Sequence, residues 1–263
     1  GRLNQLAIMP KNAKPLEKFV RELKAIRPET LFVFQLTHSG ELSHPDFSRR
    51  VTVKPLPGFG GELLGEEEVD RIMDQFVLAA RIAYDVGADG IDLKLCHGYL
   101  GSQILRPYND RKWKYGGPWE NRRRFAFDLY ERINRDIDDP NFLIGSKISA
   151  WEGFPGGFGT EGPDSPIIDL TEPLDLIRGL EERGAKYFVN YCLGCHSAKY
   201  VRYNRLAQDL QLTEDQLITN LMFTGEQPHD TLAIAMRPED SVRWFGITPP
   251  DLSLISRARG SDY

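Results

Sequence analysis

The chain contains no apolar run that approaches the roughly 18 to 20 residues a membrane-spanning helix needs. It also lacks any basic excess. Its 33 lysines and arginines are outnumbered by 38 acidic residues, leaving a formal charge of −5, and a nucleic-acid binder would carry the opposite balance. Cysteine is scarce. The three present are Cys96, Cys192 and Cys195, and an odd count with two of them in C-x-x-C excludes a secreted disulfide framework. The opening stretch "GRLNQLAIMPKNAK" has neither an initiator methionine nor a signal-peptide pattern, so the chain is expected to begin part-way through a longer parent. Internal repeats and low-complexity tracts are absent. What remains is ordinary for a globular protein: 263 residues, 41% hydrophobic and 27% charged, enough for one large domain or two modest ones.

From residue 14 to about 190, helical and strand patterns alternate. Apolar residues recur at helical spacing in 14–26, 66–87, 120–137 and 172–184. Short strand-like runs fill 31–36, 89–95, 142–149 and 186–190. Gly87 falls where a helix C-cap belongs. Four strands separated by helices predict a parallel sheet built from βα units. In such sheets, chemistry is done at the C-terminal strand ends. Polar residues bunch there: His38 after the first strand, His97 and Tyr99 after the second, Trp151 and Gly153 after the third. After residue 191 the pattern becomes short-helical, with Thr213 and Gln216 as a capping box, Gly225 as a stop and no further strand. Another N-cap candidate precedes "LSLISRA".

The stretch "DLKLCHGYL" brings Lys94, Cys96, His97 and Tyr99 together. Alone, these residues read as the satisfied end of a strand rather than as a site. Cys96 and His97 are too few to hold a metal, and Cys96 reads as a buried strand-end residue. His44 is expected to face solvent. "CLGCH" at 192–196 is C-x-x-C-H, the c-type haem attachment pattern. Its two thiols suit thioether bonds to the porphyrin vinyl groups, and the adjoining imidazole suits the iron. A redox disulfide and half a zinc site are the rival readings; the first does not explain His196, and the second finds only distant His229 and Cys96 as further ligands.

Two resemblances follow. Residues 30–190 resemble the old yellow enzyme family of FMN-dependent ene-reductases and NADH:flavin oxidoreductases, through "FQLTHSGELS", "ADGIDLKLCHGYLGSQIL", "YND-R---YGG--ENRRRF" and "IGSKISA". The resemblance implies that Gln35 hydrogen-bonds the flavin's pyrimidine edge. Lys147, standing where the family usually has Arg, would stabilise negative charge on reduced flavin. Lys94 and His97 would grip a substrate oxygen, and Tyr99, a phenol of ordinary pKa ~10, would deliver a proton to the substrate carbon. Trp113 departs from the acid that the family tends to carry. A (β/α)₈ barrel takes about 250 residues, so some four βα units make a partial TIM-type barrel with two open sheet edges, which a second copy of the chain could cover. The incomplete barrel counts against FMN binding.

Residues from about 183 to 263 resemble cytochrome c1, the haem subunit of the quinol–cytochrome c reductase complex. The matching pieces are "YCLGCHSAKYVRYNRL", "LTEDQL", "LMFTGE", "AMRPEDSVRWFG" and "PPDLSLISRARGSDY". This resemblance implies a covalent haem c held by Cys192, Cys195 and His196, the last as iron ligand. Arg259 would meet a haem propionate, and "PPDLS" would line the pocket. Met222 and Met236 are expected in the core rather than on the iron, leaving it without a strong sixth ligand.

The expected organisation is thus an α/β flavin-oxidoreductase-like domain over 1–188, followed by a mostly α-helical haem segment over 189–263. The flavin half implies a small-molecule substrate, NAD(P)H and a cytoplasmic setting. The haem half implies cytochrome b and Rieske-type partners and a periplasmic or membrane-associated one. The expected function is a redox protein joining the two. The alternatives are an ene-reductase with a structural tail, and a folded chimera that binds neither cofactor.

Overall fold

The structure, a computed structural model, describes residues 5–139, 141–187, 189, 193, 196–234 and 236–253. Two compact units divide the chain, Gly1–Leu176 and Ile177–Tyr263.

The first unit is organised around a three-stranded parallel sheet in the order β1–β4–β5, with β1 at Val33–Leu36, β4 at Gly90–Leu95 and β5 at Leu143–Ile148. Helices α1 (Ala13–Ile26), α2 (Glu66–Asp85) and α5 (Arg124–Ile137) supply its core. Leu16, Val20, Val69, Met73, Leu129 and Ile133 are buried, as are Phe34, Leu36, Ile91, Leu93 and Leu95 from the strands. Each of those apolar side chains contributes roughly 1.5–3 kcal/mol on leaving water. Helix α2 stops in a Schellman motif. Gly87 adopts φ +85°, its N–H reaches the Tyr84 carbonyl at 2.9 Å, and the Ala88 N–H reaches that of Ala83 at 3.0 Å. This is the C-cap expected from the sequence.

Burial alternates along the strands with period two. Phe34 and Leu36 of β1 are buried, while Val33 and Gln35 between and beside them are exposed. In β5, Leu143, Gly145 and Lys147 are the exposed set. Since directly paired residues share a face, the register Gln35–Asp92–Gly145 and Lys94–Lys147 puts Gln35, Asp92, Lys94 and Lys147 on the same, open side.

A short parallel pair, β2 (Val51–Thr52) with β3 (Glu62–Leu63), lies in the loop between β1 and α2. Short helices α3 (Leu100–Leu105) and α4 (Trp119–Arg122) follow β4. The helix expected over 120–137 is therefore interrupted at Arg123.

Helix α6, Thr171–Tyr187, corrects the fourth-strand expectation. "KYFVN" is a short apolar run, and such runs do not separate strand from helix by periodicity. Lys186 and Tyr187 continue the helix. The parallel sheet therefore shows three βα strands rather than four.

The second unit corrects the expectation that no further strand follows residue 191 in a mostly helical segment. β6 (Ala198–Arg202) pairs antiparallel with β7 (Thr231–Leu232). They join α7 (Tyr203–Asp209), α8 (Glu214–Asn220) and α9 (Pro238–Phe245). The alternating bulky residues of "AKYVRY" suit a strand as well as a helix. The Thr213–Gln216 capping box is present, with the Gln216 N–H at 3.2 Å from Thr213 Oγ1 and the Thr213 N–H at 2.9 Å from Gln216 Oε1. Gly225 is not the stop, because α8 already ends at Asn220. The core gathers Val189, Leu193, Ala198, Tyr203, Leu217, Leu221 and Leu232, with Met222 packed against it. The helix expected after residue 253 lies outside the described residues. Among those described, no helix is long and apolar enough to cross a membrane.

Candidate functional site

Two separate groups of residues come together, one in each unit. In the first, β4 ends in a reverse turn in which His97 (φ +58°) and Gly98 (φ +72°) both take positive φ, closed by the Tyr99 N–H on the Cys96 carbonyl at 3.3 Å. That is the φ pattern of a type I′ turn, unfavourable for histidine. It leaves His97 exposed and turns Tyr99 inward at 7% exposure. The Lys94 ammonium sits over the Tyr99 ring, 3.8 Å from its centroid. Cys96 is buried, and burial pushes its thiol above the usual range, as befits a strand-end core residue. Gln35 donates from Nε2 to Asp92 at 2.6 Å, which fixes the amide on the open face. Lys147 stands on that face opposite Lys94 in the neighbouring strand.

Behind the turn lies a charged network that spacing alone did not reveal. Arg106 forms a two-point pair with Glu152 (2.7 and 2.9 Å), and both side chains are nearly sealed from solvent. Burial alone would raise the Glu152 carboxyl. The Arg106 hydrogen bonds and charge, with the Phe158 N–H and Ser102 hydroxyl, outweigh burial and hold it below the usual range. Glu41, 2% exposed, lies 3.8 Å from Arg106, and burial pushes its carboxyl up. Ser102, Arg106 and Glu152 tie the α3 segment to the loop after β5. These partners are 46 to 50 positions apart in sequence, so no local pattern exposes them.

His38 is also structural. Its Nδ1 accepts the Gly40 N–H at 3.1 Å, its carbonyl accepts the Leu100 N–H at 3.0 Å, and burial lowers its pKa to about 4. The "YND-R---YGG" loop is a staple. Asn109 donates to the Ile104 and Tyr115 carbonyls, Arg111 to those of Val53 and Leu64, and the Tyr115 hydroxyl to Asp70. Trp113 stacks under Arg111 and donates weakly to Asn109. Its place is within this staple.

In the second unit, His196 Nδ1 lies 2.8 Å from the Pro250 carbonyl oxygen. A strap of hydrogen bonds donated by backbone N–H groups, one to a carbonyl and two to side chains, holds the two segments together. The Leu252 N–H reaches the Ser197 carbonyl at 2.8 Å, the Lys199 N–H reaches Asp251 at 2.9 Å and the Tyr200 N–H reaches Ser253 at 3.0 Å. Leu193, inside C-x-x-C-H, is fully buried in the unit's core. Cys192, Cys195 and Arg259 lie outside the described residues. Among those described, no group of three metal-ligating side chains occurs.

Of the residues the sequence implies for holding haem, His196 is the one described, and its surroundings suit that role. A carbonyl on Nδ1 selects the tautomer with its proton there, freeing Nε2 as a lone-pair donor for iron. The open sheet face carries the Lys94 and Lys147 ammonium groups, which suit an electron-rich heteroaromatic ring, and the Gln35 amide, which is paired with the Asp92 carboxylate.

Residues 44–163 match the model of the NADH:flavin oxidoreductase / NADH oxidase family. The cytochrome c1 of Allochromatium vinosum is 48% identical over 105 residues, spanning 40% of this chain and 41% of that protein. A putative 12-oxophytodienoate reductase-like protein 2A of Arabidopsis thaliana is 33% identical over 138 residues, 47% of this chain and 51% of that one. In three dimensions the chain is similar to a 2-naphthoyl-CoA reductase in complex with 2-naphthoyl-CoA. The TM-score is 0.57 at 18% identity, over 69% of this chain and 29% of that one, which speaks to fold. The chain thus resembles both a flavin oxidoreductase and a cytochrome c1, and spans about half the length or less of these relatives.

Proposed function

We propose that this chain is a redox protein in two parts, an FMN-type oxidoreductase segment followed by a c-type haem electron carrier of cytochrome c1 kind. The observation that carries the haem part is the His196–Pro250 contact at 2.8 Å, reinforced by the burial of Leu193 within the attachment motif. Cys192 and Cys195 would hold the porphyrin edge covalently, His196 Nε2 the iron, and Arg259 a propionate. Bound haem supplies one-electron transfer. Its electron partners would be cytochrome b and Rieske-type chains, by analogy with cytochrome c1.

In the first part, Gln35 and Lys147 would hold the flavin's pyrimidine side, and bound FMN supplies hydride transfer to and from NAD(P)H and a small unsaturated substrate. Lys94 and His97 would orient a substrate oxygen by charge and hydrogen bonding. Tyr99 would release its phenolic proton. Its hydroxyl takes no hydrogen-bond partner among the described residues, and the Lys94 ammonium sits 3.8 Å from its ring centroid.

A second reading, in which the first part is only structural, is favoured by the closed Gln35–Asp92 pair. An absorption spectrum of the purified chain, read in the Soret and flavin regions together, separates them. Both signatures support the two-part protein, a Soret band alone supports the structural reading, and neither overturns both.

A further inference from the structure

The turn that presents His97 and Tyr99 adopts a backbone form that its own hydrogen bonding does not secure. His97 sits at φ +58° and Gly98 at φ +72°, and the bond that closes the turn, from the Tyr99 N–H to the Cys96 carbonyl, is 3.3 Å long. A residue with a β-carbon resists positive φ, and such a conformation persists where the surroundings impose it. His97 is exposed, so burial of its own ring does not impose it here.

The imposing contacts meet at Gly98. Gln103 Nε2 donates to the Gly98 carbonyl at 2.6 Å, and the Ser102 hydroxyl accepts the Gly98 N–H at 3.3 Å. Both side chains come from α3 and are buried. Ser102 is itself held, because its hydroxyl donates to Glu152 at 2.7 Å. Gln103 is held on two sides. Its backbone N–H reaches the Tyr99 carbonyl at 2.9 Å, and its amide lies so near Gly40 that a β-carbon there would come within 2.8 Å of both Nε2 and Oε1. Gly40 follows β1, so one amide is wedged between the segments leaving two neighbouring strands.

The other end of that amide shows what it is for. Gln103 Oε1 is buried with no hydrogen-bond partner, which is unfavourable. Methionine or leucine would fill the same space without an unmet acceptor. What the amide alone supplies is the bond to the Gly98 carbonyl, the shortest of the three that restrain the turn.

We propose that Gln103 is a positioning residue: its bond to the Gly98 carbonyl holds the His97–Gly98 turn in the positive-φ form and so fixes where His97 and Tyr99 present their side chains. It acts through Gly98 and touches no ligand itself. That those side chains serve a substrate rests on the flavin-oxidoreductase reading; the hold on the turn does not.

The test is amide hydrogen exchange of the full chain, read by NMR at Tyr99, whose N–H closes the turn, alongside global stability read by urea unfolding. In Gln103→Met and Gln103→Leu, exchange at Tyr99 should quicken tenfold or more, while the urea midpoint and the amides of β4 stay as in the parent. Adding His97→Gly to Gln103→Met should restore most of the lost protection, because glycine takes positive φ without resistance. A filler role in the core would move the urea midpoint and would show no such rescue. Unchanged exchange at Tyr99, an equal rise at Tyr99 and along β4, absence of the glycine rescue, or failure of both Gln103 variants to fold would each overturn the proposal. Faster Tyr99 exchange in a protein that takes up no flavin sinks the enzyme reading and leaves the positioning of the turn; flavin uptake with Tyr99 exchange unchanged by Gln103→Met does the reverse.

Discussion

His196 presents Nδ1 to the Pro250 carbonyl at 2.8 Å, although 54 positions separate them. This contact orients the ring and assigns its tautomer, so that the nitrogen left over is the one that can donate to a metal. Replacing His196 with Ala should leave any thioether-bound haem attached through Cys192 and Cys195 but change its coordination. The check is the absorption spectrum: covalent haem retained, with the bands of the variant displaced from those of the parent chain. An unchanged spectrum would mean that His196 is not an iron ligand.

The buried charges of the first unit should respond oppositely to neutralisation. Glu152→Gln strips a partner from sealed Arg106 and is expected to destabilise the unit by about 3–5 kcal/mol. Glu41→Gln removes a carboxyl that burial disfavours when ionised, and should be neutral or stabilising at neutral pH. Linkage fixes the sign in acid. Glu152, held below its usual range, contributes stability present above the unfolded carboxylate pKa and lost as pH falls through its folded value. Urea melts at several pH values read both effects.

His38 gives a third, separate window. Its pKa of about 4 lies below the ordinary 6.5, so folding favours the neutral ring. Stability from this source is complete above about pH 6.5 and declines as pH falls towards 4, by roughly 2–3 kcal/mol. His38→Asn should flatten the stability curve across that interval, well above the window of Glu152.

Much of this was legible in the chain. Helices α1 and α2 showed themselves through apolar spacing, and the α8 cap through Thr213 and Gln216, because those signals are local. Thr213→Ala should cost about 1 kcal/mol, measured as a shift in the thermal midpoint. The end of the parallel sheet was misread because "KYFVN" is too short to choose between strand and helix without its neighbours. The pair β6–β7 was missed because its partners are distant in sequence and one is only two residues long. Gln35, Lys94 and Lys147 share the open face of the sheet, Lys94 lies against the inward-turned Tyr99, and His97 stands exposed in the turn. The buried Arg106–Glu152–Glu41 network was not legible. A charge is read as solvated surface until a structure shows it enclosed.

FMN titration tests the open face directly. Flavin fluorescence should be quenched on binding, and Lys147→Met should weaken that binding by removing the cation expected beside the reduced ring. Tyr99→Phe should leave flavin uptake intact and slow oxidation by an unsaturated substrate by roughly 10²–10⁴-fold. Equal affinity in the Lys147 variant would remove that residue from the flavin site.

The central claim is a covalent haem at residues 192–196. The most direct measurement is the intact mass of denatured protein, produced in a host that exports it and attaches c-type haem. The account predicts a mass increased by one haem group, lost when Cys192 and Cys195 are both replaced by Ala. An unmodified mass in the parent chain, under conditions where a control cytochrome c is fully loaded, would contradict it.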